Sequence, residues 1–115
     1  MPRDYKLRLD DILGSISKIF QYVEGMNLDD FNCDNKTQDA VIRNLQIIAE
    51  ASKHIPDKLK EKHTSIPWAE IIGFRNIVVH QYFGVTIDIV WHTIYNELPA
   101  LEKTCKELLD SSNCD

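Results

Sequence analysis

The strongest constraint on the fold is the spacing of apolar residues, which recur at intervals of three and four along much of the chain. Because an α-helix completes one turn every 3.6 residues, residues at this spacing form a single apolar stripe on a helix. In the first segment the stripe consists of Leu9, Ile12, Leu13, Ile16, Ile19, Phe20 and Val23. This pattern predicts an amphipathic helix from about Asp4 to Glu24.

A polar connection follows the first helix and leads to a second one. The connection begins at Gly25 and is rich in Asn and Asp, which favour turns over helix. Thr37 or Asn35 can cap the second helix, which is expected to end near His54. Residues 57–65 show no apolar periodicity and carry several lysines, so they are expected to form a solvated connector.

Two further helices are predicted in the second half of the chain. Pro67 suits the first turn of the third helix, which runs from Trp68 to Phe83 and is expected to stop at Gly84. Thr86 or Asp88 can then cap the fourth helix.

Four amphipathic helices on short connections, with no alternating strand pattern, predict an all-α fold. The expected architecture is an antiparallel four-helix bundle whose fourth helix is kinked near Pro99, because proline lacks a backbone N–H. The chain has 115 residues, of which 43% are hydrophobic, so we expect one domain over residues 1–115.

Charge and cysteine content narrow the possible function classes. A net charge of -5 disfavours a protein that coats nucleic acid through a broad basic surface, but it leaves room for a small cationic site. Cys33, Cys105 and Cys114 lack CxxC spacing and indicate reduced thiols. The apolar runs are too short to span a bilayer and the charged start does not resemble a secretory signal. A cytoplasmic protein without a membrane partner is therefore expected.

The most informative segment runs from Arg75 to His80 and places a permanent cation and an imidazole on one apolar helix. At about 100° per residue the two side chains diverge by roughly 140°, so a straight helix presents them at the two margins of one surface. That surface also carries Ile72, Gly73 and Val79, which predicts a second packing contact. A two-fold partner would bring two arginines and two histidines around one cleft, as expected of a homodimer.

Arginine and histidine together suit phosphodiester chemistry. The guanidinium of Arg75 can form a planar fork with phosphate oxygens, and His80 can exchange protons with a ribose 2′-OH or a leaving oxygen. Asn76 lies one turn before His80 and can orient either group. The alternative is structural: Arg75 pairs with a surface acid such as Glu70, and His80 merely ends the helix.

Several short motifs give this pattern its context, and together they make the chain resemble the HEPN superfamily (higher eukaryotes and prokaryotes nucleotide-binding). More narrowly, the chain resembles the bacterial and archaeal HEPN ribonuclease toxins that are paired with minimal nucleotidyltransferase antitoxins. The motifs occur in family order, and they are Asp39 to Leu45, Ile47 to Ala51, Ile66 to Trp68, Gly73 to Asn76 and His80 to Phe83. One departure is Ala49, where relatives commonly carry glycine.

The resemblance implies a metal-independent endoribonuclease that needs no cofactor and acts on RNA as a homodimer. By analogy, Arg75 stabilises charge on the scissile phosphate, Asn76 supports it, and His80 serves in acid/base catalysis. The 2′-OH would attack and leave a 2′,3′-cyclic phosphate. Tyr82 matches the tyrosine to which the partner nucleotidyltransferase attaches AMP, which silences the toxin. On residue chemistry alone, Tyr82 is equally well explained as an aromatic residue that closes the bundle.

Three interpretations remain open at this point. The chain is an RNA-cleaving toxin, a non-catalytic HEPN module that binds nucleotide or its partner, or a purely structural dimer. The last of these would leave the motif from Arg75 to His80 unexplained. The histidines at 54, 63 and 92 lack ligand spacing, so no metal site is expected. Glu50 is expected to form a structural pair with Arg43 or another base.

Overall fold

The computed structural model describes residues 2–76 and 84–113, with the side chains of residues 5–75 and 87–110. Within these ranges the chain forms α-helices and one 3-10 turn, and no strand occurs in them. In chain order the elements are α1 (Pro2–Tyr22), α2 (Leu28–Asn32), α3 (Asn35–Lys53), α4 (Asp57–Glu61), α5 (Trp68–Gly73), the 3-10 turn (Phe74–Asn76), α6 (Gly84–Asn96) and α7 (Leu98–Asn113). The predicted all-α fold is confirmed.

The long helices form a helical bundle around one hydrophobic core. α1 packs most extensively against α3, and α7 packs against both α1 and α6. α5 and the 3-10 turn pack against α3. The buried side chains include most of the predicted stripe of α1, of which Leu13 and Phe20 are only partly buried. Together with their counterparts on the other helices, the buried residues include Leu9, Ile12, Ile16, Ile19, Ile42, Leu45, Ile48, Ile94, Leu98 and Leu101. None of the helices described is long and apolar enough to cross a membrane.

α3 starts earlier than predicted, because its N-cap lies one residue before Asn35 and three residues before Thr37. Asp34 is the N-cap, and its carboxylate accepts hydrogen bonds from the backbone N–H of Thr37 at 3.0 Å and from the Thr37 hydroxyl at 2.8 Å. These bonds lower the pKa of Asp34, with the backbone bond as the largest cause. The proposed caps, Thr37 and Asn35, are therefore wrong; both lie inside the helix, and Thr37 is the donor of the cap.

Two short helices occupy segments that were expected to be connections. α2 begins with a capping box in which Asn27 and Asp30 each accept the other's backbone N–H. Phe31 on this helix is fully buried. α4 follows Pro56 and has no buried side chain, in keeping with the solvated character expected of residues 57–65.

The segment after residue 66 departs most from the prediction. Pro67 is the N-cap of α5, and α5 ends at Gly73, where the chain tightens into the 3-10 turn. Gly84 is the first described residue of α6, and residues 77–83 lie outside the described part of the chain, so the predicted end of the third helix at Phe83 stays a prediction. Thr86 and Asp88 lie inside α6 and do not cap it.

Near Pro99, where one kinked helix was expected, the structure has two helices joined by a single residue. α6 ends at Asn96, Glu97 forms a turn, and α7 starts at Leu98. Pro99 is the second residue of α7, where a missing N–H costs no intrahelical hydrogen bond. The Glu97 carbonyl still accepts the N–H of Leu101 at 3.2 Å, so the backbone bonding continues across the break.

Candidate active site

Arg75 lies on the surface in the 3-10 turn that follows α5. Ile71 and Phe74 are buried and fix α5 and the turn against the core. Their neighbour Arg75 is directed outward, and its side chain is 38% exposed. The guanidinium of Arg75 is therefore accessible to an anion from solvent.

The nearest acid to Arg75 is Glu50 on α3, not Glu70. Nη1 of Arg75 lies 3.9 Å from Oε1 of Glu50, and the Glu50 side chain is 52% exposed. This separation is an ion-pair contact but too long for a hydrogen bond. The expectation that Glu50 pairs with a base is confirmed, although the bases are Arg75 and His54 and not Arg43. Glu70 instead lines a cleft on the other side of α5.

The second oxygen of Glu50 is held by His54, one turn later on α3. Nε2 of His54 lies 3.1 Å from Oε2 of Glu50. The bond to His54 lowers the pKa of Glu50, opposed by partial desolvation and assisted by the charges of Lys53 and Arg75. Glu50 is therefore ionised at neutral pH, and because a carboxylate only accepts hydrogen bonds, His54 is the donor.

The remaining predicted site residues cannot be placed beside Arg75. Asn76 belongs to the 3-10 turn, but its side chain lies outside the described residues. His80 and Tyr82 lie outside the described residues altogether, as does Val79. The relation of Arg75 to His80 therefore stays a prediction.

A cleft of about 660 Å³ separates α5 from α6. Its lining combines two acids, one histidine and three apolar or small residues with a threonine: Glu70, Gly73, Phe74, Ile89, His92, Thr93 and Glu97. Arg75 is not among the described residues of this lining, although Phe74 is. The described lining of this cleft contains no lysine or arginine that could bind a phosphate. The candidate phosphate-binding residue is therefore Arg75, which contacts Glu50 on α3.

Cysteine and metal chemistry gain no support from the described residues. Cys105 is buried, and burial, reinforced by the charge of Glu102, raises the pKa of its thiol to about 12. Such a thiol is not ionised at neutral pH and is no nucleophile. In the part of the chain that the structure describes, no three His, Cys, Asp or Glu residues are grouped so that they could hold a metal ion.

The contribution of His54 is the feature that sequence reasoning missed. His54 was considered only as an isolated candidate metal ligand. The available signal was its position four residues after Glu50, since such residues are neighbours on a helix surface. The approach of Glu50 to Arg75 had no local signal, because it depends on how α3 and α5 pack.

Comparison with known proteins gives a consistent result along nearly the whole chain. Residues 12–108 match the family described as HepT-like, Ribonuclease HepT-like. A protein of Caldanaerobacter subterraneus with an RNase designation is 43% identical over 108 residues, covering 94% of each chain. The probable ribonuclease HepT of Thermococcus cleftensis is 42% identical over 108 residues, covering 94% of this chain and 98% of its own. No solved structure matches the chain.

Proposed function

The chain belongs to the HepT-like ribonuclease family, and from this membership we propose that it is an endoribonuclease. The observation that carries the proposal is the family match across residues 12–108, which includes an arginine held on the surface at position 75. An exposed guanidinium on a turn that packs against α3 is suited to bind the phosphate of an RNA backbone. The net charge of -5 is compatible with a narrow footprint on RNA.

The proposed reaction is transesterification of a phosphodiester within RNA. The ribose 2′-oxygen forms a bond to phosphorus while the bond from phosphorus to the 5′-oxygen breaks, which leaves a 2′,3′-cyclic phosphate and a 5′-hydroxyl. Arg75 stabilises the negative charge that builds on the phosphate. His80 takes or gives the proton that moves between the 2′-OH and the leaving oxygen, and Asn76 orients these groups. No metal or other cofactor is required in this scheme.

The test of this function is cleavage of RNA by the purified protein in the presence and absence of EDTA. We expect cleavage to persist in EDTA, because both catalytic groups are side chains of the protein, and we expect products that end in 2′,3′-cyclic phosphate. Mass spectrometry of short oligonucleotide products measures that end group. A protein that leaves RNA intact but binds nucleotide would instead favour the non-catalytic HEPN module, and activity abolished by EDTA would contradict the metal-free reaction.

The active unit in this proposal is a homodimer of one-domain chains. Gly73 is exposed, and Ile89, which lines the same cleft, is 52% exposed although it is a large apolar residue. An exposed apolar surface of this kind favours a contact with a second copy. In the proposed dimer, both protomers would contribute residues to one cleft.

Gly73→Glu is expected to convert the dimer to a monomer. A Cβ at Gly73 would meet no atom within 4 Å in the protomer, so the substitution adds a charge to the surface without disturbing the fold. Light scattering at micromolar concentration measures the mass. Gly14→Glu on α1 is the matched control, since Gly14 is equally open. A monomeric wild type, or a Gly73→Glu dimer as tight as the wild type, would rule out this interface.

The biological role that we propose is that of a cytoplasmic toxin in a toxin–antitoxin pair. The cognate partner would be a minimal nucleotidyltransferase that silences the enzyme by attaching AMP to Tyr82. This role rests on the family resemblance of the motif from His80 to Phe83. A reading frame for a minimal nucleotidyltransferase beside the gene would support it.

A further inference from the structure

The carboxylate of Glu50 contacts two basic side chains that come from different parts of the chain. Its Oε2 lies 3.1 Å from Nε2 of His54 on the same helix, and its Oε1 lies 3.9 Å from Nη1 of Arg75 on the 3-10 turn. The three side chains form a line from α3 to the turn, with the carboxylate in the middle. All three are partly exposed, and His54 is 45% exposed.

The backbone positions of this line are set by the core. Ala49 and Ala51 on either side of Glu50 are buried, as are Ile71 and Phe74 on the element that carries Arg75. α3 packs directly against both α5 and the 3-10 turn. The backbones therefore meet at a fixed distance, and only the side-chain rotamers of the three polar residues remain to be restrained.

The two contacts of Glu50 differ in kind, and the difference has a consequence for Arg75. The contact with His54 is a hydrogen bond, which restrains the rotamer of Glu50 and leaves its other oxygen facing the turn. The contact with Arg75 is a longer electrostatic one, which attracts the guanidinium without engaging its fork in paired hydrogen bonds. Among the described residues, the ion-pair partner of Arg75 is Glu50, which attracts the guanidinium while leaving its paired donors unengaged by this carboxylate.

We propose that His54 and Glu50 are positioning residues for Arg75, with His54 holding Glu50 and Glu50 orienting the guanidinium toward the RNA phosphate. This inference rests on the proposed function, because it assigns Arg75 to the phosphate. His54 acts only through Glu50. Misplacement of a catalytic group by about 1 Å can cost up to about 100-fold in rate.

The kinetic test compares Glu50→Gln, His54→Ala and the double variant in RNA cleavage. We expect kcat to fall about tenfold to 100-fold in Glu50→Gln and less in His54→Ala, with a small change in KM. The double variant should be no slower than Glu50→Gln, because His54 acts through Glu50. His54→Gln should restore most of the rate, since a glutamine amide can also donate to the carboxylate. Glu102→Gln on α7, which removes a similar acid paired with Lys106 four residues later, is the matched control.

A second measurement does not depend on catalysis. The ¹H–¹⁵N NOE of the Arg75 Nε–H reports side-chain order, and we expect it to fall in Glu50→Gln and His54→Ala but not in His54→Gln. An unchanged NOE in Glu50→Gln overturns the proposal, as does a lower KM with unchanged kcat, which would make Glu50 a competitor of the phosphate. If the wild type cleaves no RNA, the proposed function fails, and the role in catalysis fails with it, whereas the NOE still decides whether Arg75 is oriented.

Discussion

Arg75→Ala and His80→Ala are each expected to abolish RNA cleavage while the helical fold and the dimer persist. The loss for His80 should be about 10²–10⁴-fold, which is typical for removal of a general acid or base. Loss of the Arg75 guanidinium should be comparably severe, because among the described residues no other arginine or lysine lies within 4 Å of the Glu50 carboxylate to replace it. Initial rates on a fluorescent RNA measure the effect.

Arg75→Ala is expected to test the role of the guanidinium without destabilising the fold. Its only described ion pair is the 3.9 Å contact with Glu50, and both side chains are exposed, so that truncation removes little stability. Circular dichroism and light scattering should therefore match the wild type. Lys103→Ala, which removes one exposed cation from α7, controls for a general effect of charge on RNA binding. Wild-type rates in Arg75→Ala would remove this residue from the reaction, and the same holds for His80→Ala.

Sequence periodicity predicted the long helices, because each of them has enough apolar residues at helical spacing to define a buried face. α1 has four buried apolar residues at helical spacing, and α3 ends within one residue of the predicted end at His54. α2 and α4 have five residues each, too few for a periodic signal. α2 forms because Asn27 and Asp30 cap it and Phe31 reaches the core, which is information about tertiary packing.

The candidate site also has one part that the sequence predicts and one part that depends on tertiary packing. Arg75 could be identified from the sequence as a candidate site residue, because a charged residue within an apolar segment is rarely buried without a partner. The neighbours of Arg75 could not be predicted from the sequence. Glu50 lies 25 positions earlier in the chain and approaches Arg75 only because α3 packs against the 3-10 turn. The neighbours Glu50 and His54, four residues apart, were within reach of sequence reasoning, whereas their link to Arg75 was not.

Tyr82→Phe is expected to prevent silencing of the enzyme by a partner nucleotidyltransferase. In the modification the Tyr82 hydroxyl oxygen forms a bond to the α-phosphorus of ATP, pyrophosphate leaves, and the phenolic proton is lost. In the proposed site, the attached phosphate would bring negative charge beside Arg75 and would compete there with the RNA phosphate. Intact-mass and peptide mass spectrometry after incubation with the partner and ATP measure the adduct, and RNA cleavage measures the silencing.

The tyrosines on the described surface provide matched controls for this experiment. Tyr95 is 46% exposed and Tyr22 is 39% exposed, so either phenol is open to an enzyme that modifies accessible tyrosines without discrimination. Selective modification requires that Tyr95→Phe and Tyr22→Phe are still modified and silenced as the wild type is, while Tyr82→Phe gains no mass and continues to cleave RNA. An adduct on another residue, or full silencing of Tyr82→Phe, would show that Tyr82 is not the modified residue and would contradict inhibition by competition at Arg75.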